Sequence, residues 1–389
     1  MSSILFVSHS KRDLFYYNDA SARYRCVFPA EFLQACNIQA HVIHFKEINN
    51  ITLSDYSHIV FHRPQFSFRL KWVLYKAKHL NIQTIVDHDD LLFRPERASE
   101  SAAVQAGYMG IRLATKQAKA YKKALLLFSS AWVSTEALKQ QMAISLPHLD
   151  IQVHHNKLPE RWANLSSITP WQQRFKKKII RYMPGTSHHK HDFEKIENLF
   201  IELLNKYPDI KLEIVGQLNF NINKFPPKQI SQQDYMTFET LPSAISSSWL
   251  TLSPLQENLF NQCKSGLKFW ESGLYGVPVI SSPLPDIERF KNNGLLLSDK
   301  PQDWLNYIET MLEPDKYQSA SNEALKHAQK AVFNSEDGRL KALGISQFKN
   351  KPKYTNIKTS AKFFYIQLSV GVNYVPRWPG KFLNHTGKV

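Results

Sequence analysis

Pro254-Leu255-Gln256-Glu257-Asn258-Leu259-Phe260-Asn261-Gln262-Cys263-Lys264-Ser265-Gly266-Leu267-Lys268-Phe269-Trp270-Glu271-Ser272-Gly273-Leu274-Tyr275-Gly276-Val277-Pro278-Val279-Ile280-Ser281-Ser282 is the stretch whose reading decides the fold. With the apolar run 249–253 before it, it reads as strand, polar loop, helix and second strand. Two lysines and a serine stand where the helix is expected to begin. Free backbone N–H groups and the positive end of the dipole make such a terminus an anion site. Lys264 and Lys268, four apart, fall on one helical face and add two mobile charges. Glu271, three residues further, is placed to accept hydrogen bonds from a ribose or sugar hydroxyl. Gly276-Val277-Pro278 ends the helix, and 277–280 reads as a buried parallel strand. The physical inference is a site for a diphosphate and a sugar; the plain alternative is a surface amphipathic helix between two core strands.

Outward from this stretch, strands alternate with helices. Strands are expected at 4–7, 40–45, 58–62, 84–87, 131–134 and 151–154, with helices at 24–36, 71–79 and 102–127. The polar stretch 164–174, containing Pro170, reads as a hinge. Beyond it come strands at 178–182, 211–215 and 249–253 and a helix at 192–207. Such alternation implies an α/β chain with two doubly wound halves built on parallel sheets, whose ligands bind outside the carboxyl ends of strands. No Gly-x-Gly-x-x-Gly or Walker-type loop is present, which argues against dehydrogenases and kinases.

The chain has 389 residues, enough for two domains of ordinary size. Its 43% hydrophobic and 12% aromatic content supports sizeable cores and excludes wholesale disorder. Cys26, Cys36 and Cys263 are the three cysteines, none at metal-ligand or disulfide-scaffold spacing, as in a reduced, cytoplasmic chain. The first ten residues read as a strand and not as a signal peptide, and no apolar run is long enough to span a bilayer. A soluble or peripheral protein is therefore expected. Of the net charge of +16, half lies from Lys349 onward, where eight Lys or Arg occur without an acid among Phe363, Phe364, Tyr365, Tyr374, Trp378 and Phe382. Arg112, Lys116, Lys119 and Lys123 form a second basic stripe on a predicted helix. These features suit an anionic lipid surface, a lipid pyrophosphate or nucleic acid, with a solvated helix face as the plain reading. Aromatic–basic interleaving favours the membrane interface.

Two further motifs follow strands. In Tyr182-Met183-Pro184-Gly185-Thr186-Ser187-His188-His189-Lys190-His191-Asp192-Phe193, Gly185 permits close backbone approach, while Thr186 and the loop N–H groups can bind phosphate or sugar oxygens. Zinc binding by the histidines is the alternative, and Asp192 can instead cap the helix. In Val86-Asp87-His88-Asp89-Asp90-Leu91, the carboxylates of Asp87, Asp89 and Asp90 suit a metal, acceptor hydroxyls, a cationic sugar or simple helix capping.

The donor stretch resembles that of GT-B nucleotide-sugar glycosyltransferases, the large retaining group 1 family. Glu271 and Gly276-Val277-Pro278-Val279 match the later part of its motif; Cys263 stands where its first glutamate would be. Asn261, Lys264, Ser265, Lys268 and Glu271 fit the Asn-x-x-Lys-Ser-x-x-Lys-x-x-Glu pattern of a polysaccharide-synthesis subgroup. Gly185, Thr186, His189, Asp192 and Phe193 match the family's Gly-Thr-x-x-His-x-x-Asp-Phe element, and Ser21-Ala22-Arg23-Tyr24-Arg25 resembles its arginine-bearing cleft loop. The resemblance covers about residues 1–330.

It implies a GT-B fold of two Rossmann-like domains facing a cleft: an acceptor domain at 1–170, a donor domain at 171–330, and a C-terminal segment at 331–389 that either packs back on the first domain or binds membrane. It implies catalytic roles for Lys264, His189 and Glu271. The donor would be held by Gly185, Thr186, Asn261, Ser265, Gly266, Lys268 and Glu271, and the acceptor by Arg23, Arg25, Asp87, Asp89 and Asp90. The expected reaction moves a sugar, with retention, from a nucleotide-sugar donor to a cell-surface polysaccharide or lipid-linked saccharide such as lipopolysaccharide or capsule. No metal, other cofactor or nucleic acid is expected, and the place would be the cytoplasmic face of the inner membrane. A nucleotide-sugar epimerase or phosphorylase on the same fold and a non-enzymatic polyanion-binding module are the rival readings.

Overall fold

Strands buried on both faces need helices above and below a parallel sheet. The computed structural model describes residues 3–163, 169–185, 187–334 and 336–344. Among these, twelve strands form two six-stranded parallel sheets. The first comprises β1 (Ser3–Ser8), β2 (Gln39–His44), β3 (His58–His62), β4 (Gln83–His88), β5 (Ser130–Val133) and β6 (Asp150–Val153), in the order β2-β1-β3-β4-β5-β6. The second comprises β7 (Ile179–Tyr182), β8 (Lys211–Val215), β9 (Ile230–Gln233), β10 (Leu250–Ser253), β11 (Val279–Ser281) and β12 (Leu295–Leu297), in the order β12-β11-β10-β7-β8-β9. Strand order therefore reverses between β1 and β3 and again between β7 and β10. A doubly wound sheet opens a crevice at such points, beyond the carboxyl ends of the strands. Two Rossmann-like units face each other across a cleft, which is the GT-B architecture.

Several elements depart from the sequence expectation. The helix expected at 102–127 is two, Ala102–Gln105 and Ile111–Leu125. Gly107, at φ +75°, breaks the turn, and Gly110 becomes the new N-cap. The helix expected from residue 24 opens with a π-type turn, Arg23–Val27, before Phe28–Ala35. Strands β9 and β12 have no counterpart in the sequence reading. β9 is the mostly polar edge strand Ile-Ser-Gln-Gln, exposed after its first residue, and β12 is three residues long.

The chain crosses between the halves twice. Residues 164–168 of the expected hinge lie outside the described residues; the rest of it is helix Trp171–Lys177, anchored by Arg174. After helix Pro314–Ala328 the chain returns to the first half. There Leu158 N–H donates to Ala331 O (2.8 Å) and Phe333 N–H to Leu158 O (3.1 Å). Phe333 stacks on Phe32 with centroids 5.0 Å apart, and the buried Arg339 donates to the carbonyls of His154 (3.3 Å) and His155 (3.0 Å). The basic aromatic segment 349–389 lies outside the described residues. No described helix is long and apolar enough to cross a membrane.

Candidate functional site

Beyond the switch point of the second sheet lies a cavity of about 190 Å³. Tyr182, Met183 and Pro184 line it from the end of β7, and Leu252 and Ser253 from the end of β10. Lys264, Ser265, Gly266 and Lys268 line it from the stretch that opened the sequence reading, and His189 from the β7 loop. The geometry of that stretch differs from the expectation. The helix begins at Leu267, so Lys264 sits in the loop between helix Leu259–Gln262 and helix Leu267–Gly273. Shared helical spacing therefore does not bring the two lysines together; the loop does.

The reason is Asp286, which follows β11. Its Oδ2 accepts from Gly266 N–H at 2.9 Å, with Ser265 Oγ at 3.5 Å, and its Oδ1 lies 3.2 Å from His155 Nδ1 in the first half. The protein's own carboxylate thus takes the Gly266 N–H that the sequence reading left open to phosphate. Glycine is required here by close approach, because a Cβ on Gly266 would lie 2.0 Å from Ile287 Cγ2. Gly185 is a different case. Space around it is open, and its φ of +77° is what calls for glycine. Thr186 lies outside the described residues.

His189 and Asp192 form a pair, Nδ1 to Oδ2 at 2.6 Å. Asp192 is buried, and its Oδ1 accepts from Gln256 N–H at 2.7 Å, which ties the β7 loop to the β10 loop. Asn261 works inside the donor loop: its N–H meets Asn258 Oδ1 (2.8 Å) and its Nδ2 donates to Gln256 O (2.8 Å). Cys263 is fully buried, its carbonyl takes Thr135 Oγ1 at 2.8 Å, and burial pushes its thiol up to about 12. It packs with the first half's core and offers no ready thiolate at neutral pH.

Glu271 is buried outside the cavity lining. Tyr24 of the first half donates its hydroxyl to Glu271 Oε1 at 2.6 Å, and Lys268 Nζ lies 3.5 Å from Oε2. Of the Ser21–Arg25 loop, the sequence reading singled out the arginines, yet Tyr24 makes this polar reach across the cleft. Arg23 crosses by stacking, its guanidinium 4.1 Å from the Phe238 centroid. Arg25 does not cross. It forms a fully buried bidentate pair with Asp87 (2.8 and 2.6 Å), and its third side donates to His154 O (2.5 Å) and Asn156 Oδ1 (3.1 Å).

Asp89 and Asp90 follow β4, and Asp89 reaches the switch point of the first sheet through Ser21 and Arg63. Arg63, a left-handed residue (φ +49°) just past β3, donates to Asp89 Oδ1 and Asp90 Oδ2 at 2.5 Å each. Ser21 Oγ donates to Asp89 Oδ2 (2.6 Å) and lies 2.8 Å from His62 Nε2. Burial opposes charge on Asp89, yet Arg63, His62 and Ser21 hold its carboxyl well below the usual range. Asp90 is raised by burial and by Asp89, against Arg63 and, across the cleft, Lys264. Ser21 and Asp89 meet the same nitrogen of His62, so the trio is not a nucleophile relay, in which serine and acid bind opposite nitrogens. Arg63, His62, Tyr24 and Asp286 were not singled out from sequence; for Arg63 a position just past a strand end was the available signal. Among the described residues no three His, Cys, Asp or Glu side chains gather as a metal site, His188, His189 and His191 included.

No family model and no curated protein matches the chain. Solved structures do. HepE from Anabaena, solved with UDP and glucose, superposes with a TM-score of 0.53 at 14% identity, over 85% of this chain and 96% of that one. Sucrose-phosphate synthase from Thermosynechococcus elongatus superposes at 0.57 and 12% identity, over 96% and 100%. An alpha-glucosyltransferase in complex with UDP-glucose and DNA containing an abasic site gives 0.61 at 11% identity, over 89% and 100%.

Proposed function

We propose that this chain, which has the GT-B fold, transfers a glycosyl group from a nucleotide sugar to a saccharide acceptor. The observation that carries the reading is the cavity at the switch point of the second sheet, where Lys264, Lys268 and Ser265 converge, with Lys264 near enough to Asp90 of the first half to draw its pKa down against burial. Nucleotide binding beyond strand ends is what a doubly wound sheet supports, and UDP or a UDP-sugar is present in two of the three similar structures described above.

The donor's diphosphate lies against Lys264, Lys268 and Ser265. Charge on the leaving nucleoside diphosphate grows as the glycosidic bond breaks, and fixed cations at that place lower the barrier. His189, oriented by Asp192, contacts the donor from the β7 loop. Asp89 remains anionic beside Arg63 and, with Asp90, orients acceptor hydroxyls or stabilises the cationic sugar. Glu271 holds ribose hydroxyls with whatever acceptor capacity Tyr24 leaves. The lysines take the place of a divalent metal, and the displaced phosphate accepts the acceptor's proton, with retention. The acceptor is a growing cell-surface polysaccharide or lipid-linked saccharide at the cytoplasmic membrane face. A thermal-shift panel of UDP-, GDP-, dTDP- and CMP-sugars tests the reading, since a ligand selective for the folded state raises its melting temperature. Stabilisation by one nucleotide class, lost in K264A, is expected; no shift with any member overturns it.

A further inference from the structure

Helix Phe68–His79 packs the first half's core through Leu70, Val73 and Ala77. At about 100° per residue, Phe68, Trp72, Tyr75 and His79 fall within an arc of about 60° on the opposite side. That face is open: Phe68 is 83% exposed, Trp72 55% and Tyr75 54%. The rings stack along the helix, Trp72 on Tyr75 at 5.5 Å and Tyr75 against His79 at 4.3 Å. Cations flank the row on both sides, Lys71 and Lys78 on one, Arg69 and Lys76 on the other, with Lys76 Nζ 5.3 Å from the Trp72 centroid.

A second basic face adjoins it. Phe66 N–H donates to Ala120 O at 3.0 Å, and Lys123 Nζ lies 3.9 Å over the Phe66 ring. This brings in helix Ile111–Leu125, whose Arg112, Lys116, Lys119 and Lys123 are exposed, with Ile111 and Leu113 beside them. Neither helix carries an acid.

We propose that these two helices dock the first half on an anionic lipid surface, with Phe68, Trp72 and Tyr75 sunk to the headgroup boundary. Three large rings in one unpartnered row are more than scattered exposure explains. A row of aromatics between two rows of long cations suits a helix lying in the interface plane: the rings enter the acyl boundary while the ammonium groups stay level with lipid phosphates. Phe68 stands five residues after Arg63, so docking brings lipid to the rim of the cleft. The inference deepens the functional reading by placing the acceptor, but its test is separate: donor binding probes one, vesicle binding the other.

The full-length protein is sedimented with phosphatidylcholine vesicles with and without phosphatidylglycerol, over a range of salt. Binding is expected only with phosphatidylglycerol and falls with salt. K71E/K76E/K78E should lower the partition coefficient about tenfold or more, since each cation near an anionic surface contributes about fivefold, and F68S/W72S/Y75S should lower it about tenfold or more by removing the rings that enter the acyl boundary. Their circular dichroism should stay unchanged. Vesicles should blue-shift tryptophan emission in the native protein and less so in W72F. Equal binding to neutral vesicles, or undiminished binding by both triple variants, overturns the proposal. So does binding that only charge reversal in the tail (R377E/K381E/K388E) removes. Two other results also count against it: a dimer that F68S/W72S/Y75S dissociates, or oligonucleotide binding in place of vesicle binding.

Discussion

Arg174→Met is the most informative single test of how the donor half is held together. The guanidinium is 2% exposed and has only neutral acceptors: Thr169 O (2.9 Å), Tyr275 O (2.6 Å), Gly276 O (2.9 Å), Ser321 Oγ (2.8 Å) and Tyr317 OH (3.2 Å). Methionine keeps much of the aliphatic volume and removes every donor. Gly276 O retains Ser321 Oγ as a donor, and Tyr317 OH still donates to Trp249 O, so two carbonyls, Thr169 and Tyr275, lose the guanidinium with nothing in its place. The buried Tyr275 carbonyl left bare costs about 1–3 kcal/mol and the partly buried Thr169 carbonyl less, and relief of the guanidinium's own desolvation offsets part, giving a net loss of about 2 kcal/mol. At about 1–3 kcal/mol per molar urea this moves the midpoint down by about 1 M. Trp171 and Trp249, both within 6.4 Å of the Tyr317 ring, report the transition by fluorescence. Because Arg174 grips the turn that ends the Lys268-bearing helix, donor affinity should fall as well. R174K should lie between, since an ammonium cannot span acceptors that a planar fork reaches. An unchanged midpoint in R174M would refute the view that this residue clamps the domain.

Lys264→Ala should lower turnover by about 10²–10³ while leaving the denaturation midpoint in place, as expected for a lost leaving-group contact; near-normal transfer would remove Lys264 from the mechanism. Glu271→Gln should weaken binding of the free nucleoside diphosphate in calorimetry, because a charged acceptor is worth about 1.5–3 kcal/mol; Tyr24→Phe tests the same carboxylate from the other side, and additive effects in the double variant would show the two to be uncoupled. Transfer should survive EDTA, and restoration of lost activity by Mg²⁺ or Mn²⁺ would contradict the lysine-based account. His154 is held down to about 2 by burial, then by Arg339 and Arg25. Its folded value lies below the unfolded one, so its neutral form costs nothing above about pH 6.5, and stability falls by about 1.4 kcal/mol per pH unit as pH drops below that. His154→Phe, packed against Trp132, should flatten that slope in acid titrations; an unaltered slope would mean the ring is protonated in the fold.

Ten of the twelve strands were legible because each carries either a continuous apolar run, as in β1 and β3, or apolar residues alternating with polar ones, as in β6 and β8. β9 was not, since an edge strand needs only one buried residue, Ile230, to hold its place. The donor loop was legible in composition but not in geometry. Spacing alone puts Lys264 on the helix; what moves it off is a hydrogen bond from Gly266 to a carboxylate twenty residues away, and no local pattern encodes that. Arginines drew attention in the cleft loop because charge is conspicuous, whereas Tyr24 spans the halves through a hydroxyl that reads as core. Arg174 looked like part of a polar hinge for the opposite reason: its partners are three carbonyls and two distant hydroxyls, and no acid nearby in sequence announces the pairing.

The strap in which Leu158 and residues 331–333 hydrogen-bond side by side bears on how this molecule can be cut and recombined. The first half is not one continuous piece of chain. Phe333 covers Phe32, and Arg339 satisfies carbonyls that would otherwise face solvent or stay bare. A recombinant fragment ending near residue 163 would therefore lack part of its own core, while one starting at 169 would carry a foreign segment at its end. Exchange of donor specificity by chimaera has to splice at two points, one on each ply of the strap, with 331–344 kept beside the first half. Two fragments separated at 164–168 should, by the same logic, find each other again in solution.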